Sequence, residues 1–103
     1  MNQDSPHINQ LSSLLAQAEK AHAQSVGRMD ESSNNQTEAL LSRAQDMLHQ
    51  AGIHHGRRNH RGAHAALTSA ASHIGTIGRL LGYGNVRPQA DAIASAYRRD
   101  NLG

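Results

Sequence analysis

The chain has no cysteine, no phenylalanine and no tryptophan among its 103 residues, and only two tyrosines and two prolines. Without cysteine there is no disulfide framework, no thiol nucleophile and no cysteine-based zinc finger. Large aliphatic residues are few, with ten Leu, five Ile and two Val. That share lies below the roughly 20% that marks disorder when net charge is high, but the high charge is missing. The formal net charge is only +2 at pH 7. No run approaches the ~18 uninterrupted apolar residues of a membrane span. The most apolar stretch, Ala63 to Gly84, is broken by His64, His73 and Arg79. Met1 to Gln10 carry Asp4 and no basic-then-apolar pattern, so no secretory signal is expected and a cytoplasmic location is.

Catalytic signatures are missing too. There is no G-x-S-x-G, H-E-x-x-H, phosphate-binding loop or dinucleotide fingerprint. Asp91 and Asp100 stand nine residues apart and do not form a convincing acid/base pair. An enzyme is not expected, and neither is a cofactor.

What the chain does have is alanine, 16 residues of it, which predicts helices packed closely through small side chains. Ser5 can cap a first helix and Pro6 suits its first position. Ile8, Leu11, Leu15, Ala18 and His22 then recur at helical spacing, widened by Leu14, over about 6–26. Residues 28–34 are polar and aperiodic and predict a mobile linker. Asn35, with Glu38 three positions on, predicts the start of a second helix. Leu40, Leu41, Ala44, Met47, Leu48 and Ala51 form its face, and Gly52 closes it, giving 35–51.

A third helix over 63–81 carries Leu67, Ala70, Ile74, Ile77 and Leu81 at strict spacing. Beside that stripe runs a row of small residues, Ala71, Gly75, Gly78 and Gly82. Mid-helix glycines cost about 0.8–1 kcal/mol each relative to alanine, and close approach by another helix would offset that. A fourth helix over 88–99 starts at Pro88 and carries Ala90, Ile93, Ala94 and Tyr97. The expected fold is all-α, a small bundle of three to four helices in one domain. Its core looks thin enough to call for completion by homodimerisation, with the Ala71–Gly75–Gly78–Gly82 row as the interface.

Charge is divided along the chain. Residues 1–52 hold three basic and six acidic side chains, whereas residues 53–103 hold seven arginines against Asp91 and Asp100. Nine of the ten basic residues are arginine, which favours bidentate pairing with carboxylate or phosphate. Segment 53–62, Ile53-His54-His55-Gly56-Arg57-Arg58-Asn59-His60-Arg61-Gly62, reads as a basic loop. Arg57, Arg58 and Arg61 are its candidate contacts to phosphate or to an acidic partner. His60 and His64 stand four apart, but the flanking arginines disfavour a dication and no metal site is assigned. His22 and His73 fall on or beside apolar stripes and are read as buried, hydrogen-bonded histidines. With eight histidines in all, sensitivity to mild acid is expected.

One stretch resembles a known family. His73-Ile74-Gly75-Thr76-Ile77-Gly78-Arg79-Leu80-Leu81-Gly82-Tyr83-Gly84-Asn85-Val86 is similar to the end of the last long helix of TraM-type quorum-sensing antiactivators. There a helix rich in small and branched residues ends in a leucine-glycine-aromatic step followed by valine. The resemblance covers about a seventh of the chain, and this sequence departs by continuing into a fourth helix. It implies a small helical dimer that binds a LuxR-type transcription activator and blocks its assembly or DNA binding.

The residues alone lead to a related expectation: a small regulatory or adaptor protein that acts by protein–protein binding. The apolar positions Ile8, Leu11, Leu14 and Leu15 are its expected anchors, freed to dock by the linker that follows. The alternative is a nucleic-acid-binding accessory protein using the loop 53–62. Against it stand the lack of helix-turn-helix spacing and of an aromatic residue in the loop for base stacking.

Overall fold

Ser5 and Pro6 start the first helix where their chemistry places it. The Ser5 hydroxyl accepts from the Ile8 amide at 3.4 Å, and Pro6 fills the first turn, where its missing N–H leaves nothing unpaired. The structure, a computed structural model, describes residues 5–103. Met1–Asp4, and with them the Asp4 of the leading-segment reading, lie outside the described residues. Four helices follow one another: α1 (Pro6–Ser25), α2 (Glu31–Gly56), α3 (His60–Leu80) and α4 (Val86–Asn101), with one 3-10 turn at Val26–Arg28. No strand occurs among the described residues.

The helices alternate in direction. The start of α1 meets the end of α4 through His7 and Asp100, and the end of α1 meets the start of α2 through His22 and Asn34. The bundle measures 42 × 21 × 19 Å. At 1.5 Å per residue α2 alone is about 39 Å long and spans its whole length. Alanine lines much of the core. Ala44, Ala51, Ala63, Ala70, Ala71 and Ala90 are fully buried beside Leu11, Leu67, Ile74, Ile77 and Tyr97. No described helix is long and apolar enough to cross a membrane.

Several expectations need correction. The segment read as a mobile linker, 28–34, is mostly helix. Asp30 caps α2, its carboxylate accepting from the Ser33 amide at 3.0 Å. Hydrogen bonding from Ser33, side chain first and then amide, holds that carboxyl below the usual carboxylate range. Asn34 then ties the helix sideways, its Oδ1 accepting from His22 Nε2 at 2.6 Å and its Nδ2 donating to Glu38 at 3.1 Å.

The basic loop 53–62 is likewise mostly helical. Residues 53–56 complete α2, residues 60–62 begin α3, and only Arg57, Arg58 and Asn59 form the turn. Gly52 does not stop α2, because a helix ends where the chain turns left-handed, and that turn falls on Arg58 at φ 60°. The amides of Arg58 and Asn59 close it onto the carbonyls of His55 and His54, at 3.0 and 2.8 Å.

The small-residue row is not a free face. A Cβ on Gly75 would lie 2.8 Å from Arg87 Cγ, and one on Gly78 would lie 2.8 Å from the Tyr83 carbonyl and 2.9 Å from Val86 Cβ. The close approach is made by the start of α4 in the same chain. Gly82, at φ 87°, is the left-handed residue that ends α3, with the Tyr83 amide bonded to the Gly78 carbonyl at 2.6 Å. Ala71, Gly75 and Gly78 are buried within one chain and leave no surface there for a second copy. Ile8, Leu11, Leu14 and Leu15 are also core residues, from 0% to 8% exposed, rather than docking anchors. The α1 stripe faces inward because only it covers the groove left by α2, α3 and α4.

Candidate functional site at the basic end of the bundle

The alternating helices gather one end of the molecule from four places in the sequence. It consists of the start of α1, the end of α2, the turn 57–59 with the start of α3, and the end of α4. Five of the eight histidines meet there: His7, His54, His55, His60 and His64. So do Arg57, Arg58, Arg61, Arg98 and Arg99. Asp100 is the one carboxylate among the described side chains of these segments.

At the centre is Tyr97. Its side chain is fully buried, yet its hydroxyl reaches Nδ1 of His55 at 2.8 Å and Nδ1 of His60 at 3.0 Å. The two imidazoles pack edge to face with centroids 5.5 Å apart, and His7 sets its ring against the Tyr97 ring at 6.1 Å. Burial raises the Tyr97 phenol above its ordinary pKa of 10.0, because the phenolate would lose its water. His7 donates from Nε2 to Asp100 Oδ2 at 2.7 Å, and its Nδ1 is buried without a partner.

The turn is fastened by Asn59. Its Oδ1 accepts from the Gly62 amide at 3.2 Å, capping α3, and its Nδ2 donates to Nδ1 of His54 at 3.1 Å. Gly62 is needed for this approach, since a Cβ there would sit 2.6 Å from Asn59 Nδ2 and 2.9 Å from the His54 ring. Around the turn lie three open hollows. One of 490 Å³ is lined by His55, Gly56, Arg58 and His60. Two others share His64 and Arg98, one adding Arg61 and Leu102, the other running up the α3–α4 groove past Arg99, Thr68 and Asp91.

Among the described residues Arg57, Arg58, Arg61 and Arg98 make no ion pair, and Arg99 stands 3.9 Å from Asp100. Clustered unpaired arginines raise the local potential and attract anions. No group of three or more metal-ligating side chains occurs among the described residues.

The predicted contacts Arg57, Arg58 and Arg61 are therefore together, all exposed, at the turn and the first residues of α3. Sequence reading missed their neighbours. Arg98 and Arg99 fall at the end of the expected helix over 88–99 and Asp100 just beyond it, with nothing local to link them to the 53–62 segment, and Tyr97 reads as an ordinary apolar-face residue. The available signal was the pair His55 and His60, five apart across a three-residue turn, which places two rings side by side. His22 is half-buried and hydrogen-bonded to Asn34, while His73 is half-buried on α3.

At the opposite end Leu14, Ala18, Ala21, Val86 and the half-exposed Tyr83 line a smaller hollow of 230 Å³ with no ionisable group other than that phenol. No known protein family, curated protein or solved structure matches the chain.

Proposed function

We propose that the protein is a small, non-catalytic adaptor or regulator that works in the cytoplasm by binding another protein. Its docking surface is the arginine- and histidine-rich end of the bundle, directed at an acidic surface of the partner. One observation carries this reading: Arg57, Arg58, Arg61, Arg98 and Arg99 converge from separate elements, with Asp100 the one carboxylate among the described side chains of those segments. Arginine forks pair bidentately with carboxylates, fix orientation, and speed association through long-range attraction.

A nucleic acid is the second reading, since the same arginines suit phosphates. It is less favoured because the end exposes no aromatic ring for base stacking. Tyr97 is buried there and Tyr83 lies at the far end. The resemblance of residues 73–86 to TraM-type antiactivators offers one specific partner, a LuxR-type transcription regulator whose assembly or DNA binding would be occluded.

Fluorescence anisotropy with a labelled glutamate-rich peptide, duplex DNA and single-stranded RNA separates these readings, at about 50 and 200 mM salt. The proposal expects peptide binding that is lost when Arg57, Arg61, Arg98 and Arg99 are replaced together by alanine. Tighter, steeply salt-dependent binding of nucleic acid would transfer the surface to the second reading. Peptide binding that survives the four substitutions would overturn the first.

A further inference from the structure

The two imidazoles on Tyr97 differ from the other histidines in that one hydroxyl dictates their proton inventory. A phenol has one hydrogen to donate and accepts with its oxygen lone pairs. Because Nδ1 of His55 and Nδ1 of His60 both lie within hydrogen-bond distance of that oxygen, one ring carries its hydrogen on Nδ1 and donates to it. The other ring accepts the phenolic hydrogen. When both rings are neutral, the accepting ring bears its hydrogen on Nε2 and the donating ring has a bare Nε2. Neither Nε2 is hydrogen-bonded among the described residues, and neither is buried without a partner, so both face solvent. The two rings line one hollow together with Arg58.

A single added proton fits this arrangement without loss. It enters on the bare Nε2, leaves both bonds to Tyr97 intact, and turns the hollow into two N–H donors beside a guanidinium. A second proton would have to land on the Nδ1 that accepts from Tyr97 and would break that bond. The groups gathered around the two rings are nearly all basic. From the turn come Arg57 and Arg58, from α3 Arg61 and His64, from α2 His54, and from α4 Arg98 and Arg99. From α1 comes His7, which is paired with Asp100 of α4, the one carboxylate among the described side chains of these segments.

Arg58 adds an independent sign. It is the one non-glycine residue with positive φ among the described residues, and it holds that conformation at the edge of the hollow, where glycine would be unstrained.

We propose that the hollow between His55, Arg58 and His60 binds a phosphate-type oxyanion, and that the anion enters together with one proton. The ligand class follows from three donors around an open, positively charged space. The proposal rests on the reading of this end as an anion-seeking surface, and it names the group that surface receives.

Sulfate is the first probe, because it stays dianionic while histidines titrate. Histidine ring nitrogens are followed by NMR as sulfate is added to the full chain between about pH 5 and 8. The expected result is saturable shifts at Nε2 of His55 and His60, with none at His22 near the opposite end. The logarithm of affinity should fall with pH at a slope approaching −1 and never −2, since affinity and proton uptake are linked reciprocally. Arg58→Gly should weaken sulfate about tenfold, the loss of one charge-assisted hydrogen bond. His60→Gln should flatten the pH slope.

Inorganic phosphate and a phosphoserine peptide, each against its uncharged control, then tell a free ion from a modified partner segment. Shifts that grow linearly and equally at His22 mean a salt effect only and overturn the proposal, as does a slope of zero or −2. Loss of sulfate binding with glutamate-peptide binding retained would remove this site and leave the arginine surface standing. The reverse result would leave the site and remove the acidic-partner reading.

Discussion

Tyr97 holds His55 by a 2.8 Å hydrogen bond across 42 residues of sequence, and that contact fastens the end of α4 to the end of α2. Among the described residues the ring is the largest fully buried side chain, and the hydroxyl lies within hydrogen-bond distance of both His55 and His60. Tyr97→Phe keeps the ring and leaves two imidazole nitrogens to water, so a loss of about 1–2 kcal/mol is expected. Tyr97→Ala opens a cavity as well and should cost about 3–5 kcal/mol, a large fraction of a small domain's stability. Urea denaturation measures both.

The same phenol predicts an alkaline limit. Its pKa is raised in the folded state, so the folded chain keeps a proton that the unfolded chain has lost. The stability it contributes is fully present below the ordinary value of 10.0 and declines as pH rises through the folded value. Denaturation midpoints should therefore drop above about pH 10 in the native chain and drop less in Tyr97→Phe. Equal declines in the two proteins would contradict this.

Arg58 occupies a left-handed position that glycine fills without strain. Arg58→Gly should raise stability by about 1 kcal/mol, and the melting temperature by several degrees, while weakening anion binding. A protein that becomes more stable as it loses binding is the signature of strain kept for function. A substitution that destabilises would mean that the arginine side chain, not the turn, dominates there.

The glycines separate into two kinds. Gly78 sits against the Tyr83 carbonyl and Val86, so Gly78→Ala should destabilise despite alanine's better helix propensity, by about 1–2 kcal/mol net. Nothing lies within 4 Å of a Cβ placed on Gly52, so Gly52→Ala should stabilise by about 0.8–1 kcal/mol. Thermal melts of the two variants should move in opposite directions.

The fold was legible where periodicity was strong and obscure where capping decided. The α1 and α3 stripes ran true, and Leu11, Leu67, Ile74 and Ile77 are all fully buried. Asp30 was overlooked because its capping role shows only when the following polar residues are read as a first helical turn. Gly52 misled because glycine marks a helix end only when the backbone there turns left-handed, and in this chain an arginine does so. The direction of the α1 stripe, toward the core, depended on how α2, α3 and α4 leave a groove, which no local pattern contains. The candidate site was half visible: Arg57, Arg58 and Arg61 are local in sequence, whereas Arg98, Asp100, Tyr97 and His7 join them only through the antiparallel packing of four helices. Leu11→Asp with Leu15→Asp should accordingly unfold the chain, seen as lost helical circular dichroism, rather than remove partner binding from an intact fold.

The central claim, that the basic end is the docking surface, is tested most directly by mapping amide NMR shifts as a glutamate-rich peptide is added. The account predicts perturbations concentrated at residues 54–64 and 97–102, with the helices' opposite ends unchanged. Perturbations centred on Tyr83 and the hollow beside Leu14, or no saturable perturbation at all, would contradict it.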